Sequence, residues 1–263
     1  MSTRTYALLG ATGNVGGQVL DVLAQRKDLN IHCFVRSADK LRSQKSSICS
    51  QPNVKIFEGA ISDRQEDRAS LADCLRGTQG AFLCVATLFN DPHTSIARQQ
   101  AAAVVSALET LRSKDKSAKL PVLVMLSSAE AEDPLHFSLG LPWIARKILF
   151  NGMYWIYTDL IEAEKYLRSK DWVNAVYFKP GGISWDEASG HTLSTEKQQT
   201  FISYPDVATG MIECADDGEK WAGKAVSVIA KKPAKTEISG LIHLPTGLFA
   251  TFLPGVYNWL YGR

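Results

Sequence analysis

Short apolar runs and helical stripes of apolar residues take turns along this chain. Tyr6 to Leu9 is an apolar run of strand length, and behind it Val15, Val19, Leu20 and Leu23 recur at helical spacing. The exchange repeats. Ile31 to Val35 and Val54 to Phe57 read as strands, and Leu71 and Leu75 mark a helix that stops at Gly77. Gly80 to Thr87 is a strand, followed by a helix with Ala101, Val104, Val105, Leu108 and Leu111 on one face. Pro121 to Ala129 is a strand that ends in two hydroxyls, Ser127 and Ser128. An aromatic stretch from Leu135 to Tyr157 leads into a helix carrying Leu160, Ala163, Glu164 and Leu167, and Val173 to Phe178 is the next strand. Strands alternating with helices predict an α/β fold, a parallel sheet with helices on both faces.

Past Lys179-Pro180-Gly181-Gly182 the pattern loosens. Ser184 to Tyr204 is polar and reads as loop, Pro205 opens a helix, and Val226 to Ile229 is a short strand. We therefore expect a core over residues 1–180 and a small C-terminal substrate-side lobe over 181–263, within one integrated domain. The tail from Leu241 to Tyr261 is apolar but broken by Pro245, Gly247, Pro254 and Gly255, too interrupted to span a bilayer. Three roles suit it: covering the fold's own apolar pocket, docking a partner, or lying in a membrane interface.

The turn between the first strand and the first helix carries chemistry. Gly10, Gly13 and Gly16 are spaced G-x-x-G-x-x-G, with Ala11, Thr12, Asn14 and Val15 between them. Glycine tightens such a turn and lets backbone approach a pyrophosphate, which then rests on the N–H groups and positive dipole end of the helix. The fold expected is thus a Rossmann-type doubly wound sheet that binds a dinucleotide. Arg36 ends the second strand, 20 residues past Gly16, where such folds offer an acid to a ribose 2′-hydroxyl or an arginine to a 2′-phosphate. With Lys40 and Arg42 close behind, the expected cofactor is NADP; a solvated basic loop is the plainer alternative. Asp63 reads as the cap of the helix that follows the third strand.

Composition narrows the picture without redirecting it. A net charge of +2 gives no nucleic-acid surface. The N-terminus runs straight into the first strand without a leader pattern. Five scattered cysteines, Cys33, Cys49, Cys74, Cys84 and Cys214, form no C-x-x-C and read as reduced thiols of a cytoplasmic protein. No metal-ligand spacing, G-x-S-x-G elbow or P-loop ending occurs, so metal catalysis, serine hydrolysis and phosphoryl transfer are not expected.

With Gly10-Ala11-Thr12-Gly13-Asn14-Val15-Gly16, Val35-Arg36-Ser37 and Lys40, the chain resembles the NmrA-like, atypical short-chain dehydrogenase/reductase group. Tyr177 to Gly182, Gly190 to Leu193 and Phe201 to Glu213 look like one subgroup, the averufin-oxidase-like proteins of fungal polyketide pathways. The resemblance implies an NADP-binding Rossmann fold acting on an aromatic small molecule of anthraquinone or xanthone type. It implies that Gly10, Thr12, Gly13, Asn14, Val15 and Gly16 hold the pyrophosphate and that Arg36 and Lys40 hold the 2′-phosphate. Ala86, Thr87 and Pro180 would line the path to the nicotinamide, with Ser127 and Ser128 facing the substrate.

The chain departs from the group at the Tyr-x-x-x-Lys pair, in which lysine lowers the pKa of a proton-exchanging tyrosine. Counting back from Glu164 places Leu160 at the lysine position and Ile156 at the tyrosine position. Tyr154, Tyr157 or His136 would have to serve as the acid, or the tyrosines are walls of an apolar pocket. Two further functions therefore stand beside the oxidoreductase: a non-catalytic NADP-binding regulator or accessory protein, and an isomerase or cyclase on the same scaffold. Oligomeric state is left open by the sequence.

Overall fold

The computed structural model describes residues 4–131, 142–236 and 242–261. Its elements in chain order are β1 (Arg4–Leu9), α1 (Asn14–Ala24), β2 (Leu29–Val35), α2 (Ala38–Gln44), α3 (Ser46–Cys49), β3 (Val54–Glu58), α4 (Gln65–Leu75), β4 (Gly80–Leu83), α5 (Ile96–Lys114) and β5 (Val122–Leu126). There follow α6 (Trp143–Gly152), α7 (Tyr154–Arg168), β6 (Ala175–Phe178), β7 (Ile183–Ser184), β8 (His191–Ser194), β9 (Ile202–Ser203), α8 (Tyr204–Asp216), α9 (Gly218–Trp221), β10 (Ala225–Ala230), α10 (Leu244–Phe252) and α11 (Pro254–Tyr261).

Among the described residues, eight strands form one sheet in the order β3-β2-β1-β4-β5-β6-β10-β8. The pairs from β3 to β10 are parallel, and β8 lies antiparallel on β10. The reversal of strand order between β1 and β4 creates a crevice at the carboxyl ends of these strands, the usual ligand position in doubly wound sheets. Burial on both faces explains why the central strands read as unbroken apolar runs. Along β1, Tyr6 and Leu8 join one core with α1 and α8, while Ala7 and Leu9 join the other with α4, α5 and α7. The C-terminal third also contributes to the core: β10 and β8 widen the main sheet, and α8 packs beside α1.

Several expectations need correction. The strand expected over Gly80 to Thr87 ends at Leu83, because Gln100 takes over the backbone of Val85, accepting from its N–H at 3.1 Å and donating to its carbonyl at 3.3 Å. The strand expected from Val173 begins at Ala175, since Val173 closes a turn onto the Lys170 carbonyl. The polar stretch expected as loop contains β7, β8 and β9. Asp63 does not cap α4. It is exposed and pairs with Arg68 at 2.9 Å, whereas Asp67, buried in the first turn, accepts from the Ala60 N–H at 2.9 Å and from the Ser62 hydroxyl. The cap of α4 is Arg64, and Ser62 accepts from its N–H at 3.2 Å.

The five cysteines are free, and burial pushes the Cys33 and Cys84 thiols up to about 12. No helix of the described residues is long and apolar enough to cross a membrane.

The tail forms α10 and α11. α10 crosses α6 where glycine meets glycine: a Cβ on Gly247 would lie 1.9 Å from the Gly152 carbonyl oxygen. Asn90, in the loop after β4, pins this corner. Its amide donates to the Gly247 carbonyl at 3.0 Å and the Thr251 hydroxyl at 3.1 Å, and its oxygen accepts from the Trp155 N–H at 2.8 Å. Tyr257 donates to Asp91 at 3.0 Å. Asn90→Ala leaves the Trp155 N–H without this acceptor and should destabilise the protein by about 1–3 kcal/mol. Urea unfolding checks this, and a change within about 0.5 kcal/mol would show that water replaces the amide.

Candidate active site

The glycine turn is built backbone against backbone. Gly10 has φ of +89°, and a Cβ there would meet the Cys84 carbonyl oxygen at 2.6 Å; one on Gly16 would lie 2.2 Å from the Gly10 carbonyl oxygen. Only glycine fits either position, and α1 is thereby seated on the end of β1. The Gly13 N–H bonds the Gly10 carbonyl at 2.9 Å, and α1 then begins at Asn14 with neither a side-chain cap nor an acidic residue in its first turn. Thr12 is half-buried, Gly13 and Asn14 are exposed, and Val15 and Gly16 are buried. A helix start with its first N–H groups uncapped and no carboxylate nearby suits an anion.

At the end of β2, Arg36 and Lys40 are both exposed, and among the described residues neither side chain makes a hydrogen bond or an ion pair. Arg42 does not join them, since Asp39 holds it at 3.1 Å. Ser37 caps α2 by accepting from the Lys40 N–H at 3.2 Å. Glu58, in register with Val35 on the neighbouring strand, accepts from the Ala38 N–H at 3.1 Å. The nearby acid is thus engaged with a helix start, and two cations stand ready. The cradle and these cations fit a phosphorylated dinucleotide.

Beyond the turn, Ala86 is exposed and Thr87 half-buried, both on the loop held by Gln100. Tyr204, from the start of α8, reaches the glycine turn: its hydroxyl accepts from the Asn14 amide at 3.3 Å, and its ring stacks on Trp185 at 4.2 Å. Neither aromatic was singled out from the sequence. A polar stretch with one tyrosine gives no sign that the chain returns to residue 14.

The two serines after β5 part company. The extended chain continues the ladder, with the Ser127 N–H on the Phe178 carbonyl at 2.7 Å and the Ala129 N–H on the Pro180 carbonyl at 2.9 Å. Successive side chains then point to opposite sides. Ser127 is buried and donates to Glu164 at 2.5 Å, and the same carboxylate holds the wholly buried Lys179 ammonium at 2.8 Å. The expectation that Ser127 faces substrate is therefore corrected: it belongs to a buried polar knot between β5, β6 and α7. Ser128, partly exposed, accepts from the Glu130 N–H at 3.3 Å and lies close enough to Tyr157 to favour its phenolate.

Tyr157 is buried, and burial first and the Glu130 carboxylate second push its phenol well above the ordinary range, against the opposing effect of Ser128. Tyr154 packs on the same Phe150 ring as Tyr157 does, edge-on to it and to Trp155. The phase of α7 thus brings Tyr157, rather than the counted position Ile156, to the serine; Leu160 packs into the core. Four residues beyond Tyr157 stands Ile161, which lines a cleft of about 730 Å³ with Glu130, Trp143, Arg146, Phe150 and Thr158 among its walls. Glu130 was not anticipated, because an isolated acid after a strand resembles any loop residue. His136 lies outside the described residues.

Comparison with known proteins agrees with this geometry. The model of an NAD(P)H-binding family matches residues 10–218. The chain is 39% identical over 259 residues to the oxidoreductase aflX of Aspergillus parasiticus, covering 97% of this chain and 95% of that protein. It is 37% identical over 263 residues to the oxidoreductase stcQ of Emericella nidulans, covering 97% and 94%. Among solved structures, a short-chain dehydrogenase/reductase from Veillonella parvula in complex with NADP superposes with a TM-score of 0.66 at 17% identity, over 88% of this chain and 97% of that one. The oxidoreductase ylbE from Lactococcus lactis gives 0.66 at 18% identity, over 92% and 95%. At these identities the two structures speak for the fold.

Proposed function

The chain belongs to the NAD(P)H-binding family, and from that premise we propose that it is an NADP-dependent oxidoreductase acting on a flat aromatic polyketide intermediate of anthraquinone or xanthone type. The observation that carries the enzymatic reading is Tyr157, under the influence of Ser128 and packed on Phe150 in the wall of a large cleft that also includes Trp143 and Ile161. The two hydroxyls would orient a substrate oxygen, and the walls would suit fused rings. The whole-length likeness to fungal oxidoreductases, and the NADP in the complex of the Veillonella relative, support the same reading.

In this reading Gly10, Thr12, Gly13, Asn14, Val15 and Gly16 would hold the pyrophosphate and Arg36 and Lys40 the 2′-phosphate. Ala86, Thr87 and Pro180 would border the path to the nicotinamide. The bound dinucleotide supplies hydride chemistry. The chain's own contribution is at the substrate oxygen. A phenol held above its usual range stays protonated, so Tyr157 donates a hydrogen bond and does not act as a base. This favours reduction of a carbonyl over oxidation of an alcohol. The five free cysteines support a reducing, cytoplasmic setting.

A second reading, a nucleotide-binding accessory protein without turnover, is favoured by Ile161 standing where a cation would lower the phenol's pKa. Calorimetry with NADPH and NADH, on wild type and Arg36→Ala, tests the cofactor. Losing one charge-assisted phosphate contact should weaken NADPH by about 1.5–3 kcal/mol, roughly 10- to 150-fold, and spare NADH. Equal binding of both nucleotides, untouched by the substitution, would sink the 2′-phosphate assignment. NADPH oxidation in the presence of hydroxyanthraquinones then separates the enzyme from the accessory protein.

A further inference from the structure

The outer faces of α6 and α11 carry large apolar side chains that are exposed. On α6, Trp143, Ile144 and Ile148 are exposed, Trp143 by 66%; on α11, Val256, Trp259 and Leu260 are exposed, Trp259 by 80%. Their spacings, i, i+1, i+5 and i, i+3, i+4, make a stripe on each helix. Tyr257 and the glycine crossing occupy the inner side, and α10 packs against both helices and joins them.

The helices that carry these stripes bear charges of one sign, although Glu130 and Glu162 share the cleft with α6 and Asp91 accepts from Tyr257 of α11. No aspartate or glutamate occurs from residue 134 to 158 or from 238 to 263, whereas Arg146 and Lys147 lie on α6, and Lys147 sits 5.0 Å over the Trp143 ring. Short helices with aromatic and aliphatic faces, cations and no acids match the headgroup boundary of an anionic bilayer. A second copy suits the surface less well, since a two-fold contact would set each cationic edge against itself.

We propose that α6, α10 and α11 form a docking surface for anionic lipid membranes. Trp143, Arg146, Lys147 and Phe150 also line the cleft, so docking sets the cleft mouth against the bilayer, where flat apolar molecules partition. Only this last consequence rests on the function proposed above.

Flotation of the full chain with vesicles of phosphatidylcholine alone, and of phosphatidylcholine rich in phosphatidylserine, tests the surface. The protein should float with the serine lipid, less so as salt rises. Trp259→Ser with Leu260→Ser should lower its partition about 10-fold or more, and Lys147→Glu should remove the preference for anionic lipid. NADPH calorimetry on the double variant reports whether the fold survives. Flotation stands apart from nucleotide binding and turnover, so failure of the enzymatic reading leaves this result readable. No flotation with either lipid overturns the proposal, and so does a concentration-dependent dimer that the double variant dissociates while vesicles bind neither form.

Discussion

Tyr157→Phe is expected to slow NADPH-dependent reduction of a hydroxyanthraquinone by about 100-fold or more, in line with the loss of a positioned proton donor. The ring and its contact with Phe150, 5.6 Å between centroids, survive the substitution, so the apolar wall is kept while the phenol is lost. NADPH affinity should hold, because the residue is distant in chain and role from the glycine turn and Arg36. Single-turnover oxidation of NADPH, followed by its absorbance, is the measurement. An unchanged rate would make Tyr157 a wall of the cleft and favour the accessory reading.

The pH profile adds a sign. Burial and Glu130 both disfavour the phenolate, so the donor stays protonated across the ordinary range and contributes no alkaline limb below about pH 10. Glu130→Gln removes the second of these effects and lowers the phenol's pKa. If proton donation limits the step, that substitution speeds reduction, doing in part what lysine does in reductases that carry the Tyr-x-x-x-Lys pair.

The second large effect concerns stability. Glu164→Ala should destabilise the protein by about 3–5 kcal/mol, because it removes the carboxylate that sits 2.8 Å from the buried Lys179 ammonium. Lys179 is wholly buried, and Glu164 holds it at 2.8 Å while accepting from Ser127. A double replacement, Glu164→Leu with Lys179→Met, should recover much of the loss, since matched apolar groups need no partner. Urea unfolding of the three variants measures both values. A loss below about 1 kcal/mol in Glu164→Ala would mean that other groups neutralise Lys179.

The glycine turn and the cations beyond it, which we propose as the nucleotide half of the site, were largely legible in the sequence. Glycine spacing is a backbone property, and Gly10, Gly13 and Gly16 can be read without knowing what lies across from them. Arg36 follows from its register with the glycines and from the end of an apolar run. The substrate half was harder for a physical reason. Ser127 and Ser128 are neighbours of one type, and the extended chain sends them to opposite sides, one to Glu164 and one to Tyr157. On α7 a one-residue error turns a side chain by about 100°, enough to confuse Ile156 with Tyr157. Asp63 and Asp67 are both acids near a helix start, and only the path of residues 60–64 decides which is buried. Lys179 reads as a charged residue in a turn, and nothing local says that a glutamate 15 residues earlier will bury it. The place of β10 beside β6, and of β8 beyond it, depends on pairings between distant segments that alternation alone does not reveal.

The crossing of Gly152 and Gly247 has a bearing on how this protein can be altered. Most packed side chains can change in compensation, a larger residue on one side answered by a smaller one opposite. Gly247 has no such trade open to it, since a Cβ there would lie 1.9 Å from the Gly152 carbonyl oxygen. A grafted tail must bring a glycine at 247 to meet α6, whereas a side chain at Gly152 would meet the Leu244 side chain at 2.4 Å, a clash that a smaller residue at 244 could answer.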